Sequence, residues 1–533
     1  MSFHLFQGLL GLPGASAKSR AVLAELLQQN YEQYHCLFHP IGFHNHLPHH
    51  LLTAYDLGAS PSLLKAIYEN EKLVQRAIDP AKNGSSLTNV PAPGDVTAET
   101  WKQWLGDERA YFAYLHFFSE VVPKCGISVS LEKYIFSSEA NSGGACMLLR
   151  LFSLLMHPLL QLGFGTEFNS EIIVAEALAQ TAVHQRGLIT PDIGVGPNAY
   201  TPSLDLLPEA NLGLSLMEVL REVYDDPLLE PIPYDGGHDY PARHVKLLQG
   251  GRGPRVQKLV ARWFIDLENV ERNVEECLWM TTLILFSSGR KDRMIRLDFF
   301  TAHFHTSALS LLPTLKYIGK PQYKADFLRM WLYLTLLLFI DRGRPEIKPQ
   351  LLMSYTDTPR PPIHSSPQAD ASALANPALD DNYNPWPAML ASTLHHPDTH
   401  VLKVFRTLYF AAHKYGTRGT GEAPGAFHAN TGIETHSGIS QADGTIFVRA
   451  AGMLLDTWGW VTHGESKGYW DRSAIGWEEA WAVPDEVNAE QWKVAQISNL
   501  EDALSNWQTQ SGSVSIANLS RKNIISGQLM SRP

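Results

Sequence analysis

Apolar residues recur every three or four positions along most of this chain, a spacing typical of amphipathic α-helices. The pattern predicts helices over residues 17–36, 98–122, 144–162, 171–184, 212–224, 256–285, 297–312, 324–340 and 401–415. The strict alternation that is typical of strands is rare, and residues 444–449 are one candidate for a strand. We therefore expect a mainly α protein, folded as one large helical body over residues 1–533.

The strongest apolar run, MWLYLTLLLFI, covers residues 330–340. Because about 20 apolar residues are needed to span a bilayer, this run predicts a core helix and not a membrane span. The first 20 residues contain a short apolar stretch without a basic segment before it, so they do not resemble a secretory signal.

Three stretches interrupt the helical pattern and are rich in loop-forming residues. Residues 187–207 are rich in Gly, Pro and Asn, residues 342–386 contain eight prolines, and residues 416–444 are rich in Gly and His. A structureless connection as long as 342–386 is uncommon, and it is either mobile or a functional cover. We predict that these loops cover a buried site and that 342–386 is a candidate lid.

The composition is that of an ordinary globular protein, with 44% hydrophobic and 18% charged residues among 533. A formal net charge of -11, without a cluster of Lys and Arg, argues against a nucleic-acid partner. The four cysteines have no CxxC spacing, which disfavours a zinc ribbon or a disulfide framework. We therefore expect free thiols in a reducing compartment, the cytoplasm.

A cluster of histidines precedes one apolar run. It consists of His44, His46, His49 and His50. Neutral imidazole is the commonest side-chain ligand of transition metals, so four histidines in seven positions favour a metal site. Pro48 suits the first turn of a helix, and Asn45 would lie near its N-cap. His46 and His50 are four residues apart and can share a face, so either is a candidate ligand.

Two further histidines lie in apolar helical patterns. His157 either binds a metal or forms a hydrogen bond within the core, with Glu167 or Glu176 as candidate partners. His303 and His305 are two residues apart on a predicted helix, so at most one of them can face a shared centre. His303 is the better candidate because its neighbours are apolar.

The segment HPDTHVLKVF adds a histidine and a lysine on one helix face. Pro397 and Asp398 predict a helix start with Asp398 as the cap, which leaves His400 and Lys403 three residues apart on one face. A lysine on an apolar face either extends to solvent or forms an ion pair. The alternative is a lysine with a depressed pKa, which can react with carbon dioxide and become a carbamate ligand.

Several familiar motifs are absent from the sequence. No GxGxxG follows a predicted strand, and GxSxG, P-loop and HExxH motifs do not occur. A Rossmann site for a flavin or a nicotinamide is therefore unsupported.

Four segments of the chain together resemble the questin oxidase-like family. They are GFHNHLPHHLLTAYDLGAS, MHPLLQLGFGTEFNSEIIVAEALAQTAVH, LDFFTAHFHTSALSLL and HPDTHVLKVFRTLY, in this order. The resemblance implies oxidative ring opening of fused aromatic polyketides, especially anthraquinones. Some members are described as NADPH-dependent Baeyer-Villiger enzymes. Others resemble non-haem iron dioxygenases whose iron is held by histidines and a carboxylated lysine.

Carried over motif by motif, the resemblance implies a metal site of five residues. They are His46, His157, His303, His400 and Lys403. Two alternatives stay open, since His50 can replace His46 and His400 can orient the lysine instead of binding the metal. His44 and His49 are then expected behind the ligands or at the surface.

We hypothesise an iron(II)-dependent oxygenase that uses dioxygen on an anthraquinone-like substrate, with NADPH as a candidate electron source. The pocket is predicted to include His50, Phe43, Tyr55, Phe164, His184, Phe304 and Trp386. One alternative is an NADPH-dependent Baeyer-Villiger monooxygenase without bound metal. A metal-dependent hydrolase would need an HxH motif at the end of a barrel strand, which the helical pattern disfavours. A non-enzymatic scaffold would leave the histidines exposed to solvent.

Overall fold

The structure is a computed structural model that describes residues 3, 5–39, 43–78, 90–185, 213–234, 246–362, 370, 372, 374 and 380–493. The predicted loop 187–207 lies outside these residues. The candidate lid 342–386 is described in part, and it includes a short helix at Pro349–Met353.

Helices make up most of the described chain, so the prediction of a mainly α protein is confirmed. They are α1 Ala17–Gln33, α2 Leu47–Asp56, α3 Pro61–Glu71, α4 Tyr111–Cys125, α5 Ile127–Leu131, α6 Ser138–Asn141, α7 Met147–Leu151, α8 Ser153–Glu167, α9 Glu171–Val183, α10 Leu216–Asp225, α11 Arg252–Ala261, α12 Val270–Phe286, α13 Phe299–Leu315, α14 Pro321–Asp341, α15 Pro349–Met353, α16 Trp386–Leu394, α17 Thr399–Tyr415, α18 Ile446–Trp458 and α19 Glu478–Ala482. Strands β1 Leu37–His39 and β2 Phe43–His44 pair antiparallel, and they form the one sheet in the described part of the chain.

Four sequence predictions of single elements were wrong in detail. The predicted helix 144–162 divides into α7 and α8, and residues 154–156 at the start of α8 have left-handed backbone angles. Residues 444–449 are not a strand, because α18 begins at Ile446 and its first turn is preceded by a hydrogen bond from the Thr445 amide to Asp443. The predicted helix 98–122 begins only at Tyr111, after a series of turns. The predicted helix 256–285 is interrupted where backbone bonds join Leu214 to Arg262 and Phe264, so it divides into α11 and α12.

The run of residues 330–340 is a core helix, as predicted. It lies within α14, and all of its residues are buried. None of the helices among the described residues has the length and the hydrophobicity that a membrane span requires.

A closely packed group of helices forms the centre of the protein. Helix α8 packs along α9 and α13, and α13 also packs against α12 and α17. Helix α2 contacts α1, α3, α8 and α17. The N-terminal parts of α2, α8, α13 and α17 therefore lie near one another, and these are the segments that carry the predicted metal ligands.

A glycine permits the close approach of α8 and α13. A Cβ atom added to Gly163 would lie 2.4 Å from the Cβ and 3.0 Å from the Cα of Ser310. Atoms cannot approach so closely, so any side chain at this position would push the two helices apart.

We predict that Gly163→Ala lowers the free energy of unfolding by about 1–3 kcal/mol, because overpacking outweighs the better helix propensity of alanine. Urea denaturation followed by circular dichroism measures this change. Gly319→Ala is the matched control, since a Cβ atom there meets nothing within 4 Å. Equal stability of the Gly163→Ala and Gly319→Ala variants would contradict the packing argument.

Candidate metal centre

Four of the predicted histidines meet at one point. The candidate ligand atoms of His46, His157, His303 and His400 all lie within 4.8 Å of one another. The Nε2 atoms of His46 and His157 are 3.0 Å apart. Two ligands at right angles on a metal, each about 2.1 Å from it, would have this separation of about 3 Å. The nitrogens of His46 and His157 are thus spaced as two ligands of one ion, and those of His303 and His400 lie within 4.8 Å of them.

Hydrogen bonds fix the tautomer of three of these rings. His157 Nδ1 lies 2.7 Å from the Leu154 carbonyl oxygen, and His303 Nδ1 lies 2.8 Å from that of Phe299. Since a carbonyl oxygen only accepts, both Nδ1 atoms carry the proton. His400 Nδ1 lies 3.3 Å from the Asp398 carboxylate and donates to it in the same way. Each ring therefore presents an Nε2 lone pair to the shared point, as metal-binding histidines do.

Three polar atoms at the centre are unpartnered. His303 Nε2, His400 Nε2 and Lys403 Nζ are buried, and among the described residues they have no hydrogen-bond partner. An unsatisfied buried polar atom costs about 1–3 kcal/mol, so three at one place call for a ligand. A metal ion fits this set of donors.

Burial sets the charge of the site. It lowers the pKa of His46, His157, His303 and His400, and the charge of Lys403 lowers the pKa of each further. Burial also lowers the pKa of Lys403 to about 7, against the opposing charges of Asp398 and Glu71. Near neutral pH the site therefore offers neutral imidazoles and an amine with a substantial unprotonated fraction, the form that binds metals or reacts as a nucleophile.

His157 follows an unusual turn. Leu154, Leu155 and Met156 all have left-handed backbone angles, with φ of 44°, 58° and 62°. Left-handed conformation costs about 1–2 kcal/mol for each non-glycine residue, so other contacts must hold this turn. The bond from the His157 ring to the Leu154 carbonyl and a bond from the Ser307 hydroxyl to the Met156 sulfur, at 3.1 Å, serve this purpose.

His400 is placed by the start of α17. Asp398 is the N-cap, as predicted, and its Oδ1 accepts the backbone amides of His400 at 2.8 Å and Val401 at 3.2 Å. The first turn of the helix therefore fixes both the backbone and the ring of His400.

His46 rather than His50 points to the shared centre. His46 is the N-cap of α2, and Pro48 lies in the first turn as predicted. Asn45, which we expected near the cap, accepts the Leu47 amide through its side chain. His50 turns toward α3, where its Nδ1 lies 3.0 Å from Glu71.

The other histidines surround the four. The ring of His44 stacks on that of His157 with centroids 3.9 Å apart, and its Nε2 lies 2.6 Å from His184 Nε2. His184 Nδ1 donates to the Gln180 carbonyl, so His44 donates to His184. His49 packs edge-on against His46. These three rings lie around the four, and their nitrogens are not among those that converge on the shared point.

The predicted aromatic residues are spread more widely. Phe164 stacks on His49 with centroids 5.3 Å apart. Phe43 stacks on Phe38, while Tyr55 lies against Phe168 and Trp386 against Phe405 and Tyr409. Phe304 is fully buried in the core. The prediction that they form one pocket wall stays untested.

A small cavity lies beyond Lys403. It is lined by Leu160, Phe164, Glu167, Thr306, Leu309, Ser310, Lys403, Arg406 and Thr407. On α8, α13 and α17 these residues follow the histidine by three to ten positions, so the three helices run in the same direction from the centre to the cavity. The ion pairs of Arg406 with Asp56, at 2.7 Å, and with Glu167 close its far end.

Sequence reasoning missed three residues beside the rings. The Phe299 ring lies 4.8 Å from that of His303 and 5.1 Å from that of His400. Trp470 contacts His400, and Arg472 lies over Phe299. Phe299 precedes His303 by one helical turn, a spacing that could have identified it. The two others come from a distant segment, so no local pattern links them to the site.

A family model described as Questin oxidase-like matches residues 43–408, more than half of the chain. Questin oxidase of Aspergillus terreus is 27% identical over 335 residues, which cover 62% of this chain and 72% of that protein. The Baeyer-Villiger monooxygenase AacuH of Aspergillus aculeatus is 26% identical over 485 residues, 89% and 92% of the two chains. The oxidoreductase AflY of Aspergillus parasiticus is 35% identical over 166 residues, 30% and 31% of the two chains.

The chain therefore belongs to the questin oxidase-like family, as its motifs predicted. The relatives are named as oxidases, monooxygenases or oxidoreductases, and the protein is an oxidoreductase. All four converging histidines and Lys403 lie within the matched residues.

A buried acid lies behind the histidines. Gln161, one turn after His157 on α8, donates to Glu176 at 3.0 Å. The hydrogen bond from His157 to Glu176 or Glu167 that we considered does not form. Burial raises the pKa of Glu176 to about 8, although the bond from Gln161 opposes the shift. The carboxyl group is therefore mostly neutral at pH 7.

This raised pKa makes stability depend on pH. An unfolded glutamate ionises near pH 4.3, so between about pH 4 and pH 8 the folded state holds the extra proton. The stabilisation is complete below the unfolded pKa and is lost as the pH rises through 8. We predict that Glu176→Gln gains stability relative to the wild type by a few kcal/mol from pH 5 to pH 9, measured by urea denaturation. A constant difference across this range would show that Glu176 does not titrate as described.

Proposed function

We propose that the protein is an iron(II)-dependent oxygenase that uses dioxygen to cleave a ring of an anthraquinone-like polyketide. The observation that carries the proposal is the set of three Nε2 lone pairs, fixed in their tautomers, that meet beside a buried amine. His46, His157, His303, His400 and Lys403 are the proposed ligands.

The choice of iron depends on chemistry. Imidazole ligands suit zinc, copper, iron and nickel, but zinc has no redox chemistry. Relatives named as oxidases and monooxygenases need an electron acceptor or donor at the site. Bound iron would supply one-electron exchange with dioxygen. The same argument disfavours the hydrolase alternative, which would use zinc as a Lewis acid.

Lys403 is proposed to bind through a carbamate. Its neutral amine attacks the carbon of carbon dioxide, a C–N bond forms, and one proton leaves the nitrogen to solvent. The product is an anionic oxygen ligand in place of a cation, which removes the repulsion between Lys403 and the metal. The lowered pKa of Lys403, about 7, supports this step because only the neutral amine reacts.

The substrate class is proposed from the relatives and the site together. Questin oxidase of Aspergillus terreus and the Baeyer-Villiger monooxygenase AacuH share most of their length with this chain. A Baeyer-Villiger-type outcome inserts one oxygen atom of dioxygen between a ring carbon and its carbonyl carbon, which gives a lactone. The other oxygen atom leaves as water with two electrons from the reduced substrate or from NADPH. Water then hydrolyses the lactone, and the ring opens. Aromatic side chains such as Phe299 and Phe43 would hold a flat substrate by stacking.

An NADPH-dependent Baeyer-Villiger monooxygenase without metal is the second candidate. This chain covers 92% of the Baeyer-Villiger monooxygenase AacuH, whose name agrees with this type of reaction but specifies neither NADPH nor the absence of a metal. The absence of a GxGxxG motif from the sequence weighs against a bound nicotinamide. NADPH would then act as a diffusing electron source and not as a resident cofactor.

The cytoplasm is the proposed compartment. The support is the scattered spacing of Cys36, Cys125, Cys146 and Cys277 in the sequence, which suits a reducing environment.

We predict about one iron per chain in protein purified without a histidine tag, measured by elemental analysis. His303→Ala should weaken binding at least about 100-fold, because it removes a direct ligand. His305→Ala is the matched control. It is equally buried on the same helix, but its Nδ1 faces Thr281 at 3.4 Å. Lys403→Ala should also lose metal binding. An added short carboxylate should restore part of it, because its oxygen can replace that of the carbamate. Unchanged iron in both His303→Ala and Lys403→Ala would contradict the proposed ligand set.

Turnover distinguishes the two candidate functions. We predict that iron-loaded protein, given dioxygen and a reduced hydroxyanthraquinone, consumes the dioxygen and opens a ring of the substrate without NADPH. Mass spectrometry of the product detects the ring opening. Removal of iron by a chelator should abolish the reaction, and added iron(II) should restore it. Metal-free protein that turns over the same compound with NADPH would establish the second candidate instead.

A further inference from the structure

Arg472 comes to the centre from outside the matched part of the chain. Its segment runs beside the start of α13, where the Phe299 amide donates to the Asp471 carbonyl at 2.8 Å and the Asp471 amide donates to Leu297 at 2.9 Å. These bonds bring residue 472, which lies beyond the family match to residues 43–408, next to His303.

The Arg472 guanidinium lies on an aromatic ring of the site. Its Cζ is 4.3 Å from the centre of the Phe299 ring, which in turn packs edge-on against His303 and His400. The charge of Arg472 contributes to the lowered pKa of both histidines. The guanidinium is therefore close enough to act on anything bound at the centre.

Arg472 has no direct counterion in the described part of the chain, although the charges of Asp398 and Asp298 act on it from a distance. Within the described ranges the Arg472 side chain forms no ion pair and donates no hydrogen bond. The two nearest carboxylates have other partners. Asp298 binds Arg342 at 2.7 Å and the amides of α13, and Asp398 binds the amides of α17 and the Trp470 ring. Burial also lowers the pKa of Arg472, so its position carries a desolvation cost.

A partly buried cation without a counterion suggests an anionic ligand. Besides Asp298 and Asp398, whose carboxylates already have partners, the groups at the centre are neutral imidazoles, Lys403 and the metal they would hold. A guanidinium presents a planar fork of N–H donors that matches an oxyanion. A guanidinium that contacts an aromatic ring through its face, as Arg472 contacts Phe299, keeps the N–H groups at its edge available. A flat aromatic ligand can stack on the ring of Phe299 beside it.

We propose that Arg472, with Phe299, binds the ionised phenol oxygen of the substrate, so that the enzyme selects a hydroxylated aromatic compound in its phenolate form. This inference rests on the proposed function and names its substrate more closely. The phenol loses its proton to solvent before binding. The resulting ring is rich in electrons, which suits oxidation.

The test uses two probes, 2-hydroxyanthraquinone and 2-methoxyanthraquinone, which differ in a single ionisable oxygen. Binding to iron-loaded protein under nitrogen is followed by absorbance, since the phenolate has its own band. The wild type should bind the hydroxy compound at least about 10-fold more tightly than the methoxy compound. The phenolate band of the bound hydroxy compound should also appear at a lower pH than that of the free compound. Arg472→Gln should weaken the hydroxy compound about 10–100-fold and leave the methoxy compound unchanged.

Two variants sharpen the result. Arg472→Lys keeps the charge but not the fork, and should lie between the wild type and Arg472→Gln. Arg221→Gln is the matched control. Arg221 on α10 also lies over an aromatic ring, that of Tyr224, at 5.0 Å. Arg221→Gln should change the affinity for neither the hydroxy nor the methoxy compound. Iron content measured for every variant shows whether the centre is intact.

The outcomes separate this inference from the proposed function. Equal loss of both probes in Arg472→Gln would make Arg472 structural and overturn the inference. Equal affinity of the wild type for both probes, with iron bound, would overturn it as well. A wild type that holds no iron but still prefers the phenolate would contradict the proposed function alone.

Discussion

Desolvation of a group of imidazoles is the constraint on which the arrangement of this protein depends. One ring nitrogen from each of four histidines lies within 4.8 Å of the others, and burial favours the neutral form of the rings. If they were charged, their mutual repulsion would separate the helices that carry them. The fold therefore holds the rings together only in the form that can bind a metal. Lys403 is subject to the same constraint, and its amine reacts only when it is neutral.

The sequence predicts those parts of the fold in which apolar residues recur with helical spacing. The spacing of apolar and polar residues predicts the long helices α13, α14 and α17, the cap at Asp398 and the choice of His303 over His305. Family motifs then associated His46 with the distant histidines. The left-handed turn before His157 could not be predicted, because three leucine-like residues in succession read as helix. Contacts from Ser307 overcome that local preference, and they exist only after folding.

The same limit applies to the surroundings of the centre. Arg472 and Trp470 approach through backbone bonds between Asp471 and the start of α13, and such pairing leaves no mark in the sequence. The long proline-rich stretch is a candidate lid, a prediction that stays open. In its described part it contains a short helix and contacts α18, where the Arg449 side chain donates to the Tyr355 carbonyl. The local composition indicates where loops interrupt the helices, but it does not indicate which parts of the protein those loops contact.

A single oxygen atom, Oδ1 of Asp398, serves the helix and the histidine at once. It accepts the amides that begin α17 and also lies against the ring of His400. Selection for a stable helix and selection for a working centre therefore act on one atom. A descendant of this protein that abandoned its chemistry would still keep the aspartate for the sake of its fold. The aspartate alone thus says little about activity, whereas His400, which the helix does not need, is the more telling residue to compare among relatives.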